Sequence, residues 1–346
     1  MKRNILYLFS AVIIFFLIGL GFLNHRFQTS PQAQTLQGWT MGTEYHIVLP
    51  DPGAQDLEGL KDAITARLEE INQIFSTWRE DSEVSKINQG PYGKWIPISE
   101  ELDVVLRHSL QLSKKTGGAF DVTIGPLVNL WGFGPYEEFL PPSPEEIQEA
   151  RRSVGYEHLT LGKRRLQKTL PHMYLDFSAV AKGYGVDAIA RLIEGHGLSH
   201  YSVEIGGEVV VKGLNPRRRP WTIGIETPTE GAPYGADFIS ALSLGHGAIA
   251  TSGSYRIYRE EDPQKGSHII DPDTGEALQT DLVSVTVQAP TCLEADALAT
   301  ALMVMGAEKG LAWVEKQPGI EALFLVKKGP SRFDQVLSKG FPTPQK

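Results

Sequence analysis

Two segments far apart in the chain place carboxylate, hydroxyl and ammonium groups at spacings that suit a phosphate-bearing ligand. In Glu294-Ala-Asp-Ala-Leu-Ala-Thr300, Asp296 and Thr300 stand at i and i+4, so on a helix they share one face. Their neighbours are Ala295, Ala297, Leu298, Ala299, Ala301, Leu302, Met303 and Val304, and a helix apolar nearly all round is a buried one. A buried carboxylate is paired or metal-bound, because an uncompensated one is costly. A few hard oxygen ligands suit Mg²⁺, which keeps waters and takes further ligands from phosphates. In the alternative reading Asp296 caps a neighbouring backbone group and Thr300 bonds back to its own helix.

The second segment is Leu175-Asp-Phe-Ser-Ala-Val-Ala-Lys-Gly-Tyr-Gly-Val-Asp187. An apolar run delivers Asp176, a small-residue turn follows, and Lys182 then opens a helix. A helix N-terminus and a lysine both favour anionic phosphate; the plainer alternative is a surface pair of Lys182 with Asp176 or Asp187. A third stretch, Ser267-His-Ile-Ile-Asp-Pro-Asp-Thr-Gly275, carries His268 into a strand that ends in a turn. Histidine is the usual proton acceptor near neutral pH, although most lone histidines are structural. Asp273-Thr-Gly275 has the look of an aspartic-protease loop, but that chemistry needs two such loops, and a Gly-closed turn explains it better. Gly117-Gly-Ala-Phe-Asp121 and Trp131-Gly-Phe-Gly134 would let a flat ring approach the backbone, or are packing turns. Ile249-Ala-Thr-Ser-Gly253 and Gly206-Gly207 are of the same kind. The chain has no Gly-x4-Gly-Lys-Ser/Thr loop, His-Glu-x-x-His helix, Gly-x-Ser-x-Gly elbow or Gly-x-Gly-x-x-Gly fingerprint, which removes the commonest nucleotide, zinc and serine-hydrolase sites.

The elements that must position these groups are legible as well. Leu57, Leu60, Ile64, Leu68, Ile71 and Phe75 predict an amphipathic helix over 57–75. Ser99 caps a helix over about 100–115, and Ser143-Pro-Glu-Glu146 is a capping box opening another over about 144–153. Short strands are expected near 45–49, 158–161 and 172–176, then a helix over about 180–194. The C-terminal half reads as strands at 201–205, 208–212, 221–226, 238–244, 247–251, 267–270 and 282–288. Thr291-x-x-Glu294 opens a helix over 292–305, followed by a helix near 307–316 and a strand near 320–326. Helices grouped with runs of strands, without strict alternation, predict an α+β fold. One body is expected over 39–330, with a linker at 28–38 and a tail at 331–346.

The net charge of -8 argues against nucleic acid as main partner, since such proteins show a basic face. The one compact basic cluster, Arg217-Arg218-Arg219, sits between two prolines and reads as a solvated loop. Cys292 is the single cysteine, so no intrachain disulfide forms, and on an apolar helix it behaves as a small hydrophobe. Lys2 and Arg3 precede an uncharged run from Ile5 to Leu23, long enough for the ~30 Å hydrocarbon core and longer than a typical signal h-region. No lipobox cysteine follows it, and Gln32-Ala33-Gln34 is a weak cleavage site. Residues 1–27 are therefore expected to be a membrane anchor in preference to a cleaved signal. The leading positive charge puts the body on the periplasmic, extracytoplasmic side, a bias that Arg26 weakens.

Taken together and in order, several segments resemble the ApbE family, the FAD:protein FMN transferases. They are Met41-Gly-Thr43, Phe75-Ser-Thr-Trp78 with Asp81-Ser-Glu-Val-Ser-Lys-Ile-Asn88, Gly118-Ala-Phe-Asp121, Asp176 through Asp187, Ala250-Thr-Ser-Gly253, Ser267 through Gly275, and Ala295-Asp-Ala-Leu-Ala-Thr300. The resemblance implies a T-fold-like α+β body with mixed or antiparallel sheets and packed helices. It implies FAD as substrate, Mg²⁺ as cofactor, and transfer of FMN to a Thr or Ser hydroxyl of a target protein with release of AMP. It also implies metal ligation by Asp296, Thr300 and the Ala179 carbonyl, and flavin dinucleotide contacts from Met41, Trp78, Ala119, Phe120, Asp121, Asp176, Lys182 and Ile270. Some relatives carry a carboxylate where Ala299 stands and a hydroxyl where Ala179 stands, so one metal ion is expected here. His268 is the candidate base, Asp271 its orienter, and Lys182 supports the diphosphate. The implied partners are domains of membrane redox complexes, such as sodium-translocating NADH:quinone reductase or Rnf-type subunits. An FAD pyrophosphatase, or a tethered flavin-binding protein without catalysis, are the competing readings.

Overall fold

The computed structural model describes residues 33–53, 56–135, 141–229, 235–254, 267–329 and 332–343; the expected membrane segment lies outside them. The chain opens with a hairpin of β1 (Gln34–Thr40) and β2 (Thr43–Leu49), then helix α1 (Leu57–Phe75), the short α2 (Glu83–Gln89), strand β3 (Trp95–Pro97) and helix α3 (Glu100–Thr116). Helices α4 (Gly125–Leu130) and α5 (Pro144–Arg151) lead to β4 (Leu159–Leu161) and β5 (Arg165–Lys168). Helix α6 (Ala181–Gly195) precedes β6 (Tyr201–Ile205), β7 (Glu208–Lys212), β8 (Trp221–Glu226), β9 (Phe238–Leu244), β10 (His246–Gly253) and β11 (Leu282–Ala289). Helix α7 (Cys292–Val314) and strands β12 (Glu321–Gly329) and β13 (Arg332–Leu337) follow.

Eight strands form one sheet in the order β1-β2-β6-β7-β10-β11-β12-β13, every neighbouring pair antiparallel. Alternation along the strands sends side chains to two faces. Tyr201, Val203 and Ile205 face the layer of α1 and α6, and Val285, Val287 and Phe324 face α7. Val209, Val211, Ile249, Leu323 and Leu325 face the other way, against Trp221, Ile225, Leu242 and Leu244 of the β8–β9 ribbon. The central strands are thus buried on both faces, which accounts for apolar runs such as Val209–Val211. A small sheet of β3, β5 and β4 lies apart.

Helix α1 starts where the Asp56 side chain accepts from the Gly59 N–H at 3.0 Å and buries the predicted stripe Leu60, Ile64, Leu68, Ile71 and Phe75. Helix α7 starts where Thr291 accepts from the Glu294 N–H at 3.2 Å, and its Ala295, Ala297, Leu298, Ala299, Ala301 and Leu302 are fully buried. Among the described residues it is the one helix long and apolar enough to cross a membrane; packing against β10, β11 and α6 explains that apolarity. The two expected helices at 292–305 and 307–316 are one element broken at Gly306 (φ 77°, ψ 165°).

Four further expectations need correction. Residues 34–38, read as linker, form most of β1, and residues 332–337, read as tail, form β13 paired with β12. The segment 172–176 is not a strand: His172 sits in a turn at φ 58°, Tyr174 makes a single bridge to Ile124, and the Asn88 side chain takes both backbone groups of Leu175, accepting from its N–H at 2.7 Å and donating to its carbonyl at 2.9 Å. Residues 267–270 make a single bridge, Ile270 to Ala277. Helices at 83–89 and 125–130 and strands at 95–97 and 165–168 were not anticipated; each is too short to show a period.

Candidate active site

A cavity of about 530 Å³ opens where the β1–β2 turn, the start of α6, the end of β10, the face of α7 and the loops around 120 and 270 converge. Met41, Gly42, Asp176, Ser178 and Lys182 also border a second hollow of about 470 Å³, lined further by Asn72, Phe75, Ser76, Thr77, Trp78, Arg79 and Phe133. The two form one cleft with two lobes. Met41, Ala119, Phe120, Asp121, Asp176, Ala179, Lys182, His268, Ile270, Asp296 and Thr300 all line the first. Trp78, 68% exposed, stands at the second.

The floor is the crossing of α6 and α7. Asp296 is 3% exposed, and its Oδ2 accepts from the Gly183 N–H at 2.8 Å. A Cβ on Gly183 would lie 2.3 Å from the Cys292 carbonyl oxygen and 2.7 Å from Asp296 Cβ, so only glycine permits this approach. Burial pushes the Asp296 carboxyl up, while Lys182 and the Gly183 N–H pull it down. Asp187, in the plainer reading a surface partner for Lys182, instead caps α7, accepting from the N–H groups of Cys292 at 3.0 Å and Leu293 at 2.9 Å. Thr300 does not bond back to its own helix; its hydroxyl lies 3.1 Å from that of Ser252 on β10. Asp296 therefore does cap a backbone group, yet its Oδ1 takes no hydrogen bond from the described residues.

The cation of the site is held by a residue that sequence reasoning passed over. Lys182 Nζ lies 2.6 Å from Glu208 Oε2, a charge contact without hydrogen-bond alignment. Glu208 is 2% exposed and follows the turn Gly206-Gly207, whose φ values of 60° and 106° are those of the two-residue hairpin loop that joins twisted strands. Burial pushes the Glu208 carboxyl up, against the pull of the Lys182 ammonium. Burial pulls the Lys182 ammonium down, but Glu208 and Asp296 outweigh it and its pKa is raised. The signal available in the sequence was an acid opening the apolar run Val209–Val211, directly after a Gly-Gly turn.

The other candidates take varied parts. Asp121 Oδ1 accepts from the Thr123 N–H at 2.8 Å and hydroxyl at 2.7 Å, and Oδ2 accepts from the Tyr156 N–H at 2.9 Å, so it clamps the loop that presents Ala119 and Phe120. Asp176 Oδ1 accepts from the Ser178 N–H at 2.8 Å. Met41 sits at φ 49° in the β1–β2 turn, a conformation unusual outside glycine, at the point shared by both lobes. The His268 ring meets Phe133 edge-on at 6.3 Å, and its Nδ1 is buried without a hydrogen-bond partner among the described residues. Burial first, and the Lys182 charge second, lower its pKa to about 4, so the ring is neutral at pH 7. Asp271 does not orient it. Asp271 Oδ1 accepts from the Asp273 N–H at 2.8 Å, and its backbone closes the turn with Gly275 and Glu276; the local Asp-Pro-Asp-Thr-Gly geometry claims the carboxylate. Trp131 pins the same turn by donating from Nε1 to the Gly275 carbonyl at 2.8 Å.

Asp296, Thr300 and the Ala179 backbone offer a carboxylate, a hydroxyl and a carbonyl, a hard-oxygen set that fits Mg²⁺. The free Asp296 Oδ1 supports the fit. Among the described residues no three His, Cys, Asp or Glu cluster to hold a metal by themselves, so such an ion would draw remaining ligands from water and phosphate.

Fold and cleft together define an α+β protein with a two-lobed site whose floor joins a buried carboxylate, a hydroxyl and a lysine. The pattern of the ApbE family matches residues 41–324, and the chain belongs to that family. It is 45% identical over 310 residues to an FAD:protein FMN transferase of Vibrio cholerae serotype O1, covering 88% of this chain and 91% of the relative. It is 41% identical over 307 residues to the Escherichia coli K12 protein of that name, covering 87% and 86%. Among solved structures, the flavin transferase ApbE from Vibrio cholerae superposes with a TM-score of 0.81 at 42% identity, covering 90% of this chain and 98% of that one. The apo flavinyl transferase ApbE of Pseudomonas stutzeri gives 0.80 at 37% identity, covering 90% and 96%.

Proposed function

We propose that the protein moves FMN from FAD to a Thr or Ser hydroxyl of a target protein, in a Mg²⁺-dependent reaction that leaves a phosphoester-linked flavin and AMP. The observation that carries this is the meeting of Asp296 and Thr300 with Lys182, from segments more than a hundred residues apart, in one cleft of a chain so similar to FAD:protein FMN transferases.

The joined lobes suit the two halves of a dinucleotide, with Trp78 and Met41 offering surface to a flat ring. Lys182 and the N-terminus of α6 favour the diphosphate between them. Asp296, Thr300 and the Ala179 carbonyl would hold Mg²⁺, which when bound offsets charge on the diphosphate and on the departing phosphate. The target oxygen forms a bond to the phosphorus on the flavin side. The bond from that phosphorus to the bridging oxygen breaks, and the electron pair leaves with AMP. His268, neutral and unpartnered at Nδ1, takes the hydroxyl proton; an anionic diphosphate beside it raises its basicity. Positioning and charge stabilisation supply most of the rate.

The apolar run Ile5–Leu23 behind Lys2 and Arg3 supports a membrane-held enzyme facing away from the cytoplasm. There it would meet hydroxyl-bearing domains of membrane redox complexes at raised local concentration. The test mixes the full chain in detergent with FAD, Mg²⁺ and a Thr-bearing target domain. Flavin fluorescence that survives denaturing electrophoresis is the expected result. Asp296→Asn keeps an acceptor for the Gly183 N–H but loses the charge, and should abolish transfer in a folded protein. Undiminished transfer by that variant would refute the metal assignment, and release of FMN without labelling would make water the acceptor.

A further inference from the structure

Glu208 has no part in the chemistry above, yet it is the most deeply buried carboxylate lining the cavity, at 2% exposed. Its place is rigid: Gly206-Gly207 sets the hairpin, Glu208 pairs with Ile205 across it, and β7 is flanked by β6 and β10. Lys182 is the opposite, a flexible stem that ends in a point charge. The floor of the cavity holds two carboxylates and this one ammonium, and the second carboxylate, Asp296, is close enough to act on Lys182 electrostatically. A buried ion pair is weak grounds for stability, since apolar replacements are often neutral, so stability alone does not account for an acid here. Without Glu208, the Lys182 ammonium has Asp296 as its remaining carboxylate partner on the cavity floor, and pairing there would neutralise the group offered to the metal.

We infer that Glu208 is a positioning residue: it holds the Lys182 ammonium towards the diphosphate of FAD and keeps it off Asp296. This rests on the FMN-transfer reading of the same cleft. FAD affinity is measured by titration of the full chain at saturating Mg²⁺, for wild type, Glu208→Gln, Lys182→Met and the double variant, with melting curves to confirm folding. Glu208→Gln should weaken FAD binding by about tenfold, and in the Lys182→Met background it should add almost nothing, the signature of two residues acting as one unit. A merely structural acid would give losses that multiply. Losses that multiply in the double variant, or Glu208→Gln binding within about twofold of wild type, overturn the inference. Should Glu208→Gln not fold, Glu208→Asp carries the same cycle, its carboxylate drawn back by one methylene. Wild-type protein that does not bind FAD sinks the transfer reading itself. Lys182→Met that binds as wild type leaves that reading standing but removes the object Glu208 would position, and so overturns this inference.

Discussion

Gly183→Ala tests the helix crossing with a single methyl group. The added Cβ would meet the Cys292 carbonyl oxygen at 2.3 Å, the Cys292 carbonyl carbon at 2.7 Å and Asp296 Cβ at 2.7 Å. Two of these are backbone atoms, which cannot rotate away. Restoring an ordinary contact requires α6 to retreat from α7 by about 1 Å, enough to stretch the Gly183 N–H bond to Asp296 beyond hydrogen-bonding range. Overpacking of this kind costs about 1–3 kcal/mol, and losing a hydrogen bond to a buried carboxylate about 1.5–3 kcal/mol. Alanine's better helix propensity returns up to about 1 kcal/mol. The net expectation is a destabilisation of about 2–5 kcal/mol, read by urea unfolding with an unchanged slope. Because Asp296 is displaced with the helix, FMN transfer should fall further than in a variant of equal stability mutated away from the cleft. A Gly183→Ala protein that unfolds within about 0.5 kcal/mol of wild type and still transfers FMN would show that the crossing is not as close as described.

Two further outcomes can be checked on the same protein. Asp187→Ala strips the caps from the Cys292 and Leu293 N–H groups and should cost about 1–3 kcal/mol; an unchanged melting temperature would remove Asp187 from the account of α7. The pH dependence of stability should carry a His268 contribution, because the ring's folded pKa of about 4 lies below its ordinary 6.5. The unfolded chain then binds the proton first, so this contribution is full above pH 6.5 and is lost as pH falls towards 4, by about 3 kcal/mol in all. The difference between wild type and His268→Gln isolates the histidine, and a flat difference between pH 6.5 and 4 would mean that the ring is not buried neutral.

Local signals in the sequence were reliable where one element decides its own structure. The stripe from Leu60 to Phe75, the caps at Ser99, Ser143 and Thr291, and the i, i+4 pair Asp296 and Thr300 all depend on neighbours within two helical turns. Edge strands were the blind spot. In β1, Gln-Thr-Leu-Gln-Gly-Trp-Thr leaves Thr35, Gln37 and Trp39 exposed, so its composition is that of a linker until β2 pairs with it. Strand β13 is exposed for the same reason. Side chains whose partners lie far along the chain were the other gap. Asp187 reads from the sequence as a candidate surface partner for Lys182 because nothing nearby announces the N–H groups it caps on α7. Glu208 was invisible as a site residue because Lys182 reaches it from another element. Asp271 erred in the other direction: a carboxylate near a histidine is a natural orienter, but the Asp-Pro-Asp-Thr-Gly turn satisfies it first.

The α6–α7 crossing also explains why stability and chemistry are hard to separate in this fold. Gly183 lets the helices meet, its N–H compensates the buried Asp296, and Asp187 on the next turn of α6 compensates the N-terminus of α7. Each bond serves docking and charge placement together, so a substitution at Gly183, Asp187 or Asp296 disturbs both. Thr300, Ser252 and Lys182 differ, because their contacts are made at the cavity and no helix end depends on them. A loss of transfer at the first group of positions therefore speaks to mechanism only when unfolding is measured alongside it. A loss at the second group, with native stability, reports on the chemistry directly.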